Sequence, residues 1–481
     1  MTVVRPRTAR TARPACPARP DRRRPRRRPL GIPLAALAAA GALAAGASPL
    51  LAPAPPAAQE PPQQQPGSQG DVTVVLEGRQ RPLIRLALPE MEGWNRVGGV
   101  GEEAGRELDE TLRSDLELSR AFEIQGPWAF QAIELTGDRA RDFEQYRSLG
   151  NEVIVLGSLR AEPGGRIAFE GRVYDLGSGK AILGKRYRGE PSAARRIAHT
   201  FADEVLQYVA GLRGIAMTSI AFASTRSGAK EIWAMDYDGA NPRPVTGHKS
   251  TSLSPDWAPG NARLAYTSFV GGPPGVYVAD LGSGRKTPVA TDGDQNISPS
   301  FSPDGRRVVF SRALGPNPEI YVADVGGGNL RQLTHSQAID TNPAWSPTGR
   351  EIAFTSSRGG NPHIYVMDAD VSNLRRISFE GDYNDGAAWS PEGDALVYAS
   401  RRGGRFEIAR TELATGETRA LTSGGGSNEG PCFAPDGRKI AYTSTRSGSP
   451  QVWVMDADGS NPHQLTEGGR NETPAWSGFA R

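Results

Sequence analysis

From Thr218 onward, short β-rich apolar runs alternate with turn residues, and the pattern repeats every 44 residues. One row of the repeat is Phe222, Tyr266, Phe310, Phe354, Tyr398 and Tyr442. A second row keeps step with it: Trp257, Phe301, Trp345, Trp389, Phe433 and, one residue short, Trp476. The unit around Asn342–Gly349 continues through Glu351–Ser356, His363–Asp368 and Leu374–Ser378. Each piece has the length and composition of a strand, and Gly, Pro, Asn or Asp punctuates between them. Four short antiparallel strands per unit predict the blade of a β-propeller. The inner-strand motif occurs six times, the last at Thr473–Ser477, whereas the unit starting at Ser219 lacks it. The expectation is therefore a six-bladed, all-β propeller closed by pairing of its two ends, which leaves no open sheet edge. The second aromatic row is expected to form the blade core, filling space between neighbouring sheets.

The pattern before Thr218 differs. Val72–Leu76, Leu83–Leu88, Val153–Leu159, Ile167–Tyr174 and Ala181–Tyr187 read as strands. Glu102–Ser119 and Ala193–Leu212 have the spacing of amphipathic helices, and Phe143–Leu149 that of a short one. Strands with segregated helices predict a small α/β (mixed α+β) domain at 71–214, ahead of the propeller at 215–481.

Charge alters the picture at the N-terminus. Residues 1–58 hold eleven arginines against one acid, Asp21, so the rest of the chain is net acidic although the whole carries +3. An acidic body argues against nucleic-acid binding. The basic run Arg22–Arg28, the Ala-rich apolar run Leu30–Ala47 and the small residues Ala45-Gly46-Ala47 follow the order of a secretory signal, taken as residues 1–47. A retained anchor is the other reading, but Pro33 and the Ala/Gly content make a weak spanning helix. No stable membrane insertion is expected after cleavage. Residues 48–70, rich in Pro and Gln, read as a linker. Cys16 would leave with the signal, so Cys432 would be the single thiol of the exported chain.

Candidate chemistry is sparse. The five histidines, His199, His248, His335, His363 and His463, have no metal-type spacing. Asp236–Gly239 and Asp456–Gly459 begin like calcium loops but lack the remaining ligands, and Gly177-Ser178-Gly179-Lys180 sits between strands as a hairpin turn. No nucleophile elbow is present. No catalytic residue, metal or cofactor is expected. Asp236, Asp280, Asp324, Asp368, Glu412 and Asp456 recur at the ends of third strands and are expected to bond turn amides. A binding surface is easier to find. Ser252, Asn296, Asp340, Asn384, Asn428 and Asn471 each precede an inner-strand aromatic by five residues, with Asp385, Glu429 and Glu472 beside them. They predict a polar, partly acidic ring at one mouth of the central channel. Arg226, Arg358, Arg401 and Arg446 would form a basic rim outside it. The ring serves either to satisfy strand-entry backbone groups or to dock a protein segment.

The chain resembles the TolB family of exported propeller proteins in the Tol–Pal envelope system. The resemblance rests on Asp71–Leu76, Leu112–Leu116, His199–Val205, Gly211–Gly214 leading into Thr218–Ala221, and the end near Pro474–Ser477. It implies a periplasmic, non-enzymatic adaptor supporting outer-membrane integrity and envelope constriction in cell division. It implies that the channel mouth binds the lipoprotein Pal, through the ring residues above, and that Asp71, Val72, Thr73, Val74, Val75 and Leu76 contact TolA. A glycan- or peptidoglycan-binding module and a propeller enzyme are the alternatives from other classes.

Overall fold

The computed structural model describes residues 82–93 and 99–479. The expected signal, the linker and the segment Asp71–Leu76 lie outside them. The chain divides after Glu77, and the α/β region and the propeller both belong to the second unit, Gly78–Arg481. Among the described residues no helix is long and apolar enough to cross a membrane.

The α/β region is a five-stranded sheet between helices. Its strands are β1 (Ile84–Ala87), β2 (Phe122–Gln125), β3 (Val153–Glu162), β4 (Arg166–Asp175) and β5 (Ala181–Gly189), in spatial order β2-β1-β3-β4-β5. β1 runs parallel to β2 and β3, and the rest is antiparallel. The edge strand β2 is absent from the expectation: four residues are too few for a visible alternation. Helices α1 (Gly99–Leu118) and α3 (Ala194–Val205) cover one face. Leu108, Leu112 and Leu116 of α1, spaced by four, join Ile197, Phe201 and Val205 of α3 over Leu86, Val155 and Phe169 of the sheet. Ala87 and Ile154, the neighbours of Leu86 and Val155 along their strands, face the other way. There they pack with Phe143 and Tyr146 of α2 (Arg139–Ser148).

The propeller has six four-stranded sheets. In the sheet closest to the α/β region, the last strand, Asn471–Trp476, pairs antiparallel with Ser219–Ser227, which continues into Ala229–Asp236 and Arg243–Pro244. We call this blade one, and blades two to six follow in chain order. Their inner strands are Ser252–Trp257, Gln295–Phe301, Asp340–Trp345, Asn384–Trp389 and Asn428–Phe433. The aromatics of the first row are fully buried on the second strands. Those of the second row end each inner strand and reach the neighbouring blade. Trp389 Nε1 donates to Ala344 O at 3.1 Å, and Trp257 Nε1 donates to Ala475 O at 3.1 Å.

Every inner strand breaks register at a bulge, which bends the strand. Within each bulge one residue is left-handed: Ser254, Ser298, Asn342, Gly386, Gly430 and Thr473, with φ from 49° to 64°. Glycine adopts this conformation freely, whereas a β-branched residue there is strained. Thr473 bears the strain, and its Oγ1 is buried without a partner. Thr473→Gly is therefore expected to stabilise the protein by about 1 kcal/mol, read as a higher denaturant midpoint. A lower midpoint would show that the threonine methyl packs better than its backbone is strained.

Candidate functional site

The two faces of the propeller are used differently. In each blade the turns after the first and third strands lie on one face, and the entry loop and the second-to-third loop lie on the other. The α/β region is bound to the first face. Arg195, His199 and Asp203 recur every four residues, so α3 presents them on one side. Thr111 and Asp115 do the same on α1. Tyr237 Oη and His199 Nδ1 donate to the two oxygens of Asp115, at 2.8 and 2.7 Å. Arg195 pairs with Asp238 and reaches Asp236 Oδ2 at 3.4 Å and Thr111 Oγ1 at 3.2 Å. Asp203 Oδ1 accepts the Ala216 N–H at 3.0 Å. The approach is close enough that a Cβ on Gly214 would lie 1.9 Å from that oxygen. Burial raises the Asp115 carboxyl, against the opposing pull of His199 and Tyr237. Burial also pushes Asp203 up to about 6.

Asp115, His199 and Asp238 bring ligand atoms within 4.8 Å of one another. The Arg195 guanidinium already neutralises Asp238, and Asp115 is taken up by Tyr237 and His199, so the cluster works as a polar joint between α/β region and propeller. No reading of the sequence picked out this joint. Its visible trace is the four-residue spacing on α3 among acids and bases that otherwise look like a solvated face.

The opposite face carries the sequence-derived ring, in a different role. Ser252, Asn296, Asp340, Asn384, Asn428 and Asn471 stand at or next to the starts of the inner strands, each at 0% exposure. Their side chains point into the blades. Asn428 Nδ2 donates to Glu407 Oε2 at 2.8 Å, Asn471 Nδ2 to Gln451 Oε1 at 2.7 Å, and Asn384 Nδ2 lies 2.8 Å from His363 Nδ1. Asn296 Nδ2 bonds Asp292 O, Asp340 takes Ser356 and Arg358, and Ser252 Oγ bonds Ser268 Oγ. A buried belt results, completed by third-strand residues. Glu231, Glu319 and Glu407 accept from Thr246, Thr334 and Thr422, while Gln451 accepts from Thr466. The six ring residues thus anchor the strand entries from behind, because an amide or carboxylate in a closed sheet edge must find a partner. The belt was legible as a further series on the 44-residue interval, Glu231, Glu319, His363, Glu407 and Gln451, interrupted by Gly275 in its second place, that the aromatic rows overshadow.

The residues one step further along the strands form the mouth. Glu429 is exposed, and Asp385 and Glu472 are half-buried. Glu472 is paired with Lys230 and Arg470. Asp385 accepts from Asn342 Nδ2 and Thr355 Oγ1, each at 2.7 Å. Among the described residues neither Asp385 nor Glu429 has an ion-pair partner. Although Glu429 is exposed, the protein around its carboxyl displaces enough water to raise its pKa, the Ser427 hydroxyl at 2.9 Å opposes this, and the like charges of Asp385 and Glu472 add to the rise. The arginine rim is less free than its sequence suggests. Arg226 lies over Trp233 at 5.0 Å, Arg358 over Phe354 and Tyr365 at 5.3 Å, and Arg446 over Trp453 at 4.7 Å. Arg401 pairs with Asp382 at 2.9 Å. The third-strand acids expected to bond turn amides do so in part. Asp280 takes the Ser283 N–H, but Asp236, Asp324, Asp368 and Asp456 take an Asn side chain five residues on.

Residues 206–480 match the family model described as the TolB beta propeller domain, and residues 72–182 match the TolB amino-terminal domain. The Tol-Pal system protein TolB of Geobacter metallireducens is 38% identical over 170 residues, which is 35% of this chain and 39% of that protein. The TolB homolog of Chlorobium chlorochromatii is 34% identical over 172 residues, 36% of this chain and 39% of that one. The aligned stretch thus spans well under half of these relatives' length. The crystal structure of TolB from Acinetobacter baumannii superposes with a TM-score of 0.71 at 25% identity, covering 82% of this chain and 97% of that one.

Proposed function

The chain belongs to the TolB family, and on that footing we propose that it is a non-enzymatic adaptor of the Tol–Pal system in the periplasm. In this reading the loop face of the propeller docks the lipoprotein Pal at the channel mouth. The segment Asp71–Leu76 contacts TolA, and the pair of contacts supports outer-membrane integrity and envelope constriction. The observation that carries the reading is the pair of carboxylates at the mouth, Asp385 and Glu429. They lie without ion partners on the face opposite the α/β joint. Unpaired charge at the rim of a concave mouth favours a cationic partner group and speeds its encounter. The ring residues Ser252, Asn296, Asp340, Asn384, Asn428 and Asn471 hold the strand entries that shape this mouth. The adaptor role gives TolA and Pal separate sites, so binding at one alters the other only through differential affinity for two states.

Calorimetric titration of residues 59–481 with the soluble domain of the same organism's Pal is expected to give saturable one-to-one binding. Deleting residues 59–76 should abolish TolA binding and leave Pal binding intact. Loss of both on deletion would sink the two-site form of the proposal, and absence of Pal binding to the intact protein would sink the role itself.

A further inference from the structure

On the reading of the loop face as the docking face, we infer that the partner is gripped by an apolar arc over blades two to five. The matching partner surface is an apolar ridge with a cationic group beside it. Four large apolar side chains stand exposed on this face: Val270 at 45%, Leu314 at 63%, Ile339 at 49% and Phe379 at 70%. They come from the second-to-third loops of blades two and three and the entry loops of blades four and five, so they follow one another around the mouth. Val270 and Leu314 occupy the repeat position that holds Arg226, Arg358, Arg402 and Arg446 in the other blades. In blades one, four and six that arginine folds back over its own aromatics. Where the repeat substitutes an aliphatic residue, the side chain has no such seat and faces outward.

The arc is held in place. Leu314 packs so close to Gly293 that a Cβ there would lie 2.8 Å from Leu314 Cδ2. The Ile339 N–H donates to Ser357 Oγ at 2.9 Å. The Arg376 guanidinium sits 5.0 Å from the Phe379 ring centre. Preorganised groups of this kind lose little freedom on binding, and burying exposed apolar side chains against a partner is favourable in proportion to the area removed from water. The opposite face also exposes Leu281, Leu330, Val371 and Leu374, but only the arc surrounds the channel mouth, and contiguous exposed apolar side chains mark interaction surfaces. Blade one differs in kind: Glu472 there pairs with both Lys230 and Arg470. The arc ends on the entry loop of blade five, the blade that carries Asp385 and precedes Glu429 of blade six, and a single partner surface meets both when it sets a lysine or arginine next to its apolar ridge.

The test titrates the soluble Pal domain into the intact protein and three variants, each checked for an unchanged melting temperature. Leu314→Ser/Phe379→Ser is expected to weaken binding ~100-fold, the effect of losing two anchor side chains. Glu429→Gln is expected to weaken it ~5-fold at low salt and less at high salt. Leu330→Ser/Leu374→Ser removes exposed apolar side chains from the opposite face and is expected to leave binding unchanged. Wild-type affinity in Leu314→Ser/Phe379→Ser, or an equal loss in Leu330→Ser/Leu374→Ser, overturns the arc and leaves the adaptor reading standing. An intact protein that does not bind Pal overturns both.

Discussion

Trp345→Ala is expected to cost roughly 3–5 kcal/mol of stability. Trp345 ends the inner strand of blade four at 8% exposure. Its ring packs against Val309, Ile320 and Val322 of blade three as well as Ile352 and Phe354 of its own blade. Arg307 caps it at 5.1 Å. Truncation removes a large apolar area and leaves a void between two sheets that the bulged inner strands hold apart, so collapse into the void is limited. The indole N–H of Trp345 has no partner, whereas that of Trp389 donates to Ala344 O. Trp389→Phe should consequently cost about 1 kcal/mol more than Trp345→Phe. Urea unfolding of the alanine variant with an unchanged midpoint would refute the placement of these rings as inter-blade filler.

The fold was legible because its largest free-energy terms are periodic. Each blade must bury the same aromatics at the same places, so Tyr266 and Phe310, or Trp345 and Trp389, write the architecture into the chain at a fixed interval. In the α/β region the amphipathic spacing of Leu108, Leu112 and Leu116 was enough to reveal α1. The four residues of β2 were too short to alternate visibly, and parallel pairing to β1 defines them instead.

The candidate site was legible only in part, and the reason is geometric. A period locates a residue along the strand but not the side to which its side chain turns. Asn384 and Asp385 are sequence neighbours, yet one turns into the belt and the other lines the mouth. The bulge decides which, and its sequence signature varies among Ser, Asn, Gly and Thr. The apolar arc was hidden for a related reason. Val270 and Leu314 look like ordinary strand-end hydrophobes until the arginines of blades one, four and six are seen lying back on their aromatic seats.

Asp115→Ala is expected to destabilise the protein by about 2–5 kcal/mol, because it leaves two buried donors without their acceptor. Asp115 is the hub of the joint: both carboxylate oxygens are used, one by Tyr237 of the propeller and one by His199 of α3. Its loss leaves a tyrosine hydroxyl and an imidazole nitrogen buried without acceptors. His199 Nε2 already lacks a partner, so the ring cannot recover a bond by changing tautomer alone. Tyr237→Phe removes only one donor and leaves the bond between Asp115 and His199 in place, so its cost should be near 1 kcal/mol. The cycle of wild type, Tyr237→Phe, His199→Phe and the double variant separates a hub from a set of independent bonds: the double cost should differ from the summed single costs only if the two bonds are coupled through Asp115. Denaturant unfolding of the four proteins decides it. A cost under about 1 kcal/mol for Asp115→Ala would mean that the apolar packing of Ile215, Ala216 and Leu118 against the propeller, and not the polar joint, holds the α/β region in place.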